Sequence, residues 1–280
     1  MNYFNFHTHT LYCDGKAEPE DYVKEAIEKK MTAIGFTCHS PLPFENGYSI
    51  KQNNIGNYIN DIRGLQKKYS NKIKVYIGTE FDFVPGMSDD FTVLKNTLMP
   101  DYFIASVHLV RNNENKKLWF IDGPEINYSE GIETIFNNNV ELAVRTYYEQ
   151  VTLMVSKLKP DIIGHIDKVK MNNKNRYFTE NEEWYKKLVN HLLDTVQKAG
   201  SIVEVNTRGI YKKRCESTYP GKEILKEIYI RKIPVTISSD AHLPCELILC
   251  FDDTIELLRN IGFKTIKYFT GIDWIDISII

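Results

Sequence analysis

Short apolar runs alternate with longer amphipathic stretches along the whole chain. The runs cover residues 3–6, 33–37, 74–78, 102–107, 162–164, 202–205, 235–238 and, more weakly, 265–269. Each is bounded by polar residues or glycine, the pattern of strands buried on both faces of a parallel sheet. Between the runs, apolar residues recur at helical spacing over 18–30, 54–69, one long stretch of 132–158, 180–199 and 222–229. The first of these carries Pro19 in its opening turn and Val23, Ala26 and Ile27 on one face, and Gly200 follows the fourth as a stop signal. Strand–helix alternation throughout one chain predicts the α/β class with a parallel sheet, open or closed. The segments after predicted strands are long (40–53, 109–131, 207–221), and those leading back to strands are short. In parallel α/β folds the site lies where such long loops begin, at the carboxyl ends of the strands. Segment 109–131 is thereby predicted to be a lid.

The length of 280 residues fits one α/β domain spanning 1–280. With 42% hydrophobic and 26% charged residues the chain reads as globular rather than disordered. A formal charge of −2, with no basic stripe, argues against a nucleic-acid partner. No apolar run is long enough to span a membrane, and MNYFNFHTHT has neither the basic nor the apolar part of a secretory leader. Five cysteines (Cys13, Cys38, Cys215, Cys245, Cys250), odd in number and without a CxxC pair, fit a reducing cytoplasm better than a disulfide framework. Nothing in the sequence sets the oligomeric state.

The chain has seven histidines, and six of them follow the end of a predicted strand. The first strand runs into His7-Thr8-His9, with Asp14 five residues on; the second ends at His39, the third at Glu80 (GTE), the fourth at His108 (SVH), the fifth at His165 (GHID) and the seventh at Asp240-Ala241-His242 (SSDAH). Each motif alone is weak. Together they place nine nitrogen and oxygen ligands at one end of one sheet, and in an extended HxH both rings share a face and can reach one ion. Imidazole with carboxylate suits zinc, manganese or iron better than magnesium or calcium. Nine ligands exceed one tetrahedral shell and suffice for two or three divalent ions. His191, at the edge of a helical stripe of Trp184, Leu188, Leu192, Thr195 and Ala199, is explained by spacing and is assigned no function.

The order HTH, Asp14, His39, GTE, SVH, GHID and SSDAH resembles the PHP (polymerase and histidinol phosphatase) family. FTCHSPLPF, WFIDGP, GHIDKVKMNN and EVNTRGIYKKR resemble its histidinol-phosphate phosphatase branch. The resemblance covers residues 3 to 255. It implies a distorted (β/α)7 barrel with a trinuclear centre: His7, His9, Glu80 and Asp240 on the first ion, bridging Glu80 with His108 and His165 on the second, and Asp14, His39 and His242 on the third. Two positions depart from the wider family, where Asp often precedes the second-strand histidine (here Cys38) and a histidine sometimes replaces Asp14. Cys38 alternates away from His39 and is expected to be a small buried residue.

The implied reaction is hydrolysis of a small phosphomonoester, L-histidinol phosphate, in histidine biosynthesis. It needs an acidified water held between two ions as nucleophile, cations on the phosphoryl oxygens, and a proton for the leaving alkoxide. Arg208, in NTRG, is the expected phosphate ligand because guanidinium binds phosphate in bidentate fashion; Lys170, shortly after GHID, is a second candidate. Asp240 or His242 is expected to deliver the proton. Phe44, Glu45, Trp119, Asp122 and Tyr211 are the acidic and aromatic loop residues suited to an ammonium and an imidazole. The alternatives are a PHP phosphoesterase for a nucleotide or phosphotyrosine, an amidohydrolase, a nuclease, and a non-catalytic metal-binding barrel. An amidohydrolase calls for a metal-bridging lysine that no predicted strand end offers, and a non-catalytic barrel loses ligands this chain keeps.

Overall fold

The computed structural model describes residues 3–280; Met1 and Asn2, which open the segment read for a leader, lie outside the described residues. Strands β1 (Phe4–Asn5), β2 (Ala33–Phe36) and β3 (Lys74–Ile77) form a parallel sheet in the order β1-β2-β3. Gly78 and Thr79 interrupt the third strand, and the chain resumes as β4 (Glu80–Asp82), the edge of a second sheet. β5 (Ile104–Ser106) pairs with β4. An antiparallel hairpin, β6 (Leu109–Arg111) with β7 (Leu118–Phe120), follows before the chain returns as β8 (Ile162–Ile163), β9 (Ile202–Asn206) and β10 (Val235–Ser238), giving the parallel order β10-β9-β8-β5-β4. The two parallel sheets touch through isolated parallel bridges, Thr8↔Ala241 and His39↔Glu80. His7, His9, His39, Glu80, Asp240 and His242 thus sit at the seams, where regular pairing gives way, while His108 and His165 follow β5 and β8 inside the larger sheet.

Helices cover the sheets: α1 (Pro19–Glu28), α2 (Ile55–Lys68), α3 (Thr92–Leu98), α4 (Glu125–Phe136), α5 (Val140–Leu158), α6 (Glu183–Ala199), α7 (Arg208–Tyr211), α8 (Lys222–Ile230) and α9 (Phe251–Ile261). The long helix expected over 132–158 is two helices. Asn137 and Asn138 adopt left-handed φ of 51° and 60°, and the Asn139 side chain accepts from Leu142 N–H to cap α5. Asparagine tolerates that conformation and competes with the helical ladder, so three in a row break it. The buried stripe of α6 is Tyr185, Val189, Leu192, Leu193 and Val196, turned by one position from the expected one, and His191 is exposed as that reading required.

The lid expected over 109–131 is also corrected. Its middle is the β6–β7 hairpin, and its end is the first turns of α4. Trp119 is fully buried, with its indole N–H donating to the Tyr128 carbonyl at 3.1 Å, which anchors the segment to the core. Trp119 is therefore a packing residue and not a substrate contact.

The weak run at 265–269 is β11 (Thr265–Phe269), and it pairs antiparallel with β12 (Trp274–Ser278) from the apolar tail. This hairpin covers one end of the core. Trp274 lies 5.5 Å from Phe6 and 5.7 Å from Tyr102, ring centre to ring centre. The Tyr102 hydroxyl donates to the Phe6 carbonyl at 2.6 Å, and it passes so close to β2 that a Cβ on Gly35 would lie 2.0 Å from its oxygen. Only glycine fits there.

Candidate metal centre

The six strand-end histidines, Glu80 and Asp240 come together as eight buried side chains, with Asp14 at their edge. His7 and His9 extend β1, and their shared face brings the two Nε2 atoms to 3.1 Å. Glu80 Oε2 stands 3.2 Å from His7 Nε2 and 3.4 Å from His9 Nε2, and Asp240 Oδ1 stands 3.3 Å from His9 Nε2. On the far side of the same glutamate, Oε1 lies 3.0 Å from His165 Nε2, which is itself 3.1 Å from His108 Nε2. The third group is peripheral: His242 Nε2 lies 3.0 Å from Asp14 Oδ2, and His39 Nε2 lies 3.9 Å from Asp14 Oδ1. Glu80 therefore links two nitrogen pairs, and the structure brings all nine expected ligands together.

The donor set fits divalent ions. Two imidazoles on one tetrahedral zinc, at about 2.0–2.1 Å each, hold their nitrogens roughly 3.3–3.4 Å apart, close to the spacing of both Nε2 pairs. His7, His9 and Asp240 form one group of converging ligand atoms, and His9, Asp14, His39 and His242 form another. Backbone strain points the same way. Asp240 has φ of 52°, a conformation β-carbon-bearing residues avoid and one that clusters at functional sites.

Electrostatics agree. Burial opposes ionisation of Glu80, yet the rings of His7, His39 and His108 hold its carboxyl well below the ordinary range. Burial opposes ionisation of Asp240 too, and His7 and Arg208 overcome it. Burial likewise disfavours a charged His7, but Glu204, Glu80 and Asp240 raise its pKa well above the usual imidazole value. So many carboxylates in so little space demand positive charge, which protons on the rings or metal ions can supply.

The ligands open onto a cavity of about 170 Å³, whose other walls include Tyr48, Phe120, Asp122, Arg208 and Arg214. A larger cleft of about 480 Å³ between Tyr229 and Lys267 contains none of the ligands. Arg208 stands where expected, its Nη1 donating to the Asp240 carbonyl at 2.7 Å. Lys170 does not. Its ammonium is buried 2.6 Å from Asp167 and 3.7 Å from Glu180, and it takes no part in the cavity wall. Lys168, also outside the wall, is nearer the ligands, with Nζ 3.1 Å from Asp122 and 3.9 Å from Asp240. Of the expected specificity residues, Asp122 lines the cavity, while the Tyr211 hydroxyl is spent on the Ser239 carbonyl at 2.8 Å and Phe44 and Glu45 stand outside the wall. Tyr48 and Phe120 are the aromatics present, with parallel rings 5.9 Å apart.

Residues 5–208 match the family described as PHP domain. The chain belongs to the PHP family. The histidinol-phosphatase of Bacillus subtilis (strain 168) is 28% identical over 253 residues, which cover 84% of this chain and 92% of that protein. The histidinol-phosphatase of Lactococcus lactis (strain IL1403) is 24% identical over 277 residues, covering 96% and 94%. A crystal structure from Listeria monocytogenes superposes with a TM-score of 0.78 at 24% identity, covering 90% of this chain and 99% of that one. That of the Lactococcus lactis histidinol phosphate phosphatase, complexed with zinc, L-histidinol and phosphate, gives 0.72 at 21% identity, covering 97% and 98%. These two likenesses establish the fold.

Behind the PHP ligands stands a layer of acceptors that sequence reasoning missed. Glu204 lies in the apolar strand IVEVN with no exposure, and it accepts from His7 Nδ1–H and, at 2.8 Å, from His165 N–H. Asp82 faces the Nδ1 atoms of both His39 and His108. A carboxylate inside an apolar strand was the available signal for Glu204, and the period-two spacing from Glu80 was the signal for Asp82. Cys38 is buried and turned to Thr10 Oγ1 at 3.2 Å, as its alternation required.

Proposed function

We propose that this PHP protein is a metal-dependent phosphatase that hydrolyses L-histidinol phosphate to L-histidinol and phosphate in histidine biosynthesis. One observation carries the reading: the clustered ligand groups open onto a small cavity whose wall also holds Arg208, beside Asp240. The finer parts of the reading belong to the same proposal. Three ions would be held by His7, His9, Glu80 and Asp240; by Glu80, His108 and His165; and by Asp14, His39 and His242. Counting β3 and β4 as one interrupted strand, the seven parallel strands would make up a distorted (β/α)7 barrel whose two sheets meet at the isolated bridges, and residues 1–280 would make one domain. Among the described residues no helix is long and apolar enough to cross a membrane. The cysteine usage accords with work in a reducing cytoplasm, and the charge of −2 accords with a small phosphomonoester rather than nucleic acid.

Divalent ions at these positions, when bound, supply Lewis acidity that activates water and neutralises phosphoryl oxygens. The chain's residues do the rest. Arg208, fixed by the Asp240 carbonyl and the Tyr211 hydroxyl, presents its guanidinium to the phosphate, and Lys168 adds a second charge. His242 Nδ1 lies 3.0 Å from the Asp240 carbonyl, and its Nε2 lies 3.0 Å from Asp14 Oδ2. Asp240 and His242 both border the cavity as groups that could pass a proton to the leaving alkoxide, and Asp240, being ionised, would first have to take one up. The Tyr48 and Phe120 faces suit an imidazole, and Asp122 suits an ammonium.

The test is phosphate release from L-histidinol phosphate by protein loaded with zinc, manganese or iron, beside nucleotides, sugar phosphates and phosphotyrosine. The reading expects kcat/KM within about 10⁴–10⁸ M⁻¹s⁻¹ for histidinol phosphate and far less for the others. Weak, even turnover across the panel would transfer the site to another phosphoester.

A further inference from the structure

We infer that Asp82 is a positioning residue that fixes the tautomers of two ligand histidines at once and so divides the ligands between two ion sites. The inference rests on the metal-binding reading above. Asp82 lies at the end of β4, almost fully buried, with its backbone N–H on Ser40 Oγ at 3.2 Å. Its two oxygens point in different directions. Oδ1 meets His108 Nδ1, and Oδ2 meets His39 Nδ1 at 3.2 Å.

An ionised carboxylate only accepts, so each facing nitrogen must carry the proton. Both Asp82 oxygens face ring nitrogens at hydrogen-bonding range, the arrangement in which a buried carboxylate serves as acceptor on each side. For His39 the case is doubled, because the same Nδ1 also stands 3.2 Å from Glu80 Oε2. With hydrogen on both Nδ1 atoms, both Nε2 atoms become lone-pair donors, and their directions differ. His108 Nε2 faces His165 Nε2 at 3.1 Å, and His39 Nε2 faces Asp14 Oδ1 at 3.9 Å.

This settles an ambiguity in the geometry. His39, Glu80 and His108 also converge closely enough to form a ligand group of their own. The His39 atom that meets Glu80 is Nδ1, so bound there it would have to be bare between two carboxylates. Asp82 forbids it, sending His39 to the Asp14–His242 side and His108 to the Glu80–His165 side.

The variant Asp82→Asn keeps the shape but offers one acceptor and one donor. The donor forces one ring into the opposite tautomer, with hydrogen on Nε2, where it cannot bind an ion. The metal-free wild type and D82N should melt alike. Both are loaded with zinc, dialysed against a chelator that leaves the wild type full, and assayed for zinc per chain. D82N should retain at least one ion fewer, and affinity at its weakened sites should fall 10–100-fold, the usual effect of removing such a partner. Cobalt-substituted protein should show altered visible bands in D82N. Equal zinc and identical cobalt spectra would overturn the inference, whereas a wild type that binds no zinc would overturn the metal reading instead. A measurement on the wild type needs no variant to fold: long-range proton–nitrogen spectra of the zinc-loaded chain should show His39 and His108 both protonated at Nδ1. Either ring protonated at Nε2 would refute it.

Discussion

Lys168 and Lys170 stand two residues apart in one turn of 3-10 helix, and exchanging each for methionine separates catalysis from stability. Both ammonium groups are buried and both lie near the Tyr219 ring, at 5.6 and 5.7 Å, so burial and cation–π contact do not distinguish them. Their ion partners do. Lys168 reaches Asp122 and Asp240 on the ligand side, whereas Lys170 reaches Asp167 and Glu180 on the other. Lys168→Met removes a preorganised charge from the phosphoryl side, a loss of about 3–4 kcal/mol at the transition state, or roughly 10²–10³ in kcat/KM. Stability falls less, because Asp122 keeps Arg214 at 3.6 Å and is partly exposed. Lys170→Met leaves Asp167, which has no exposure, without its cation, retaining only the Gly221 N–H at 2.9 Å. Breaking such a buried pair costs about 3–5 kcal/mol, a midpoint lower by roughly 5–9 °C for a chain of this length, while kcat/KM at a temperature where the variant is folded changes by no more than a few-fold. The assays are phosphate release from histidinol phosphate and thermal unfolding of the metal-loaded chain. A crippled Lys170→Met beside a near-normal Lys168→Met would refute the assignment and restore Lys170 as a phosphate contact.

Two further predictions concern the scaffold. Gly35→Ala drives a Cβ to 2.0 Å from the Tyr102 oxygen and should lower stability by about 1–3 kcal/mol in urea unfolding, with partial recovery in a G35A/Y102F double variant; an unchanged midpoint would mean the contact relaxes freely. Asp161 has its pKa raised, chiefly by burial, which the hydrogen bond from Phe103 N–H only partly offsets. A raised carboxyl binds its proton more tightly folded than unfolded, so its ionisation at neutral pH opposes folding and protonation relieves the penalty. Asp161→Asn should therefore unfold at higher urea than the wild type at pH 7, with the gap closing as pH falls through the carboxylate range; a gap that widens in acid would reverse the sign and sink the argument.

The ligands were legible because their signal is one-dimensional. Six of the seven histidines follow closely on an apolar run, and a parallel sheet delivers every run's end to the same side. The breaks in helix and lid were less legible for local reasons. Asn137–Asn139 sits in a window of otherwise helical spacing, and Trp119 in WFIDGP reads equally well as a loop aromatic or a core anchor until Tyr128 and Gly131 are seen to enclose it. Lys168 and Lys170 could not be ranked by sequence at all. At about three residues per 3-10 turn, a step of two swings the side chain through roughly 240°, and only the positions of Asp122 and Asp167 say which one meets the ligands.

The acceptor layer lies deeper still. Asp82 is 43 residues from His39 and 26 from His108, and Glu204 is 197 from His7. No periodicity spans such distances, yet these carboxylates decide which nitrogen of each ring is bare. A chain that kept all nine ligands and lost Asp82 or Glu204 would read the same at the motif level. Its rings would be free to take the wrong tautomer, and the same residues would bind fewer ions. The motifs therefore specify which atoms can coordinate, and the buried carboxylates behind them specify which atoms do.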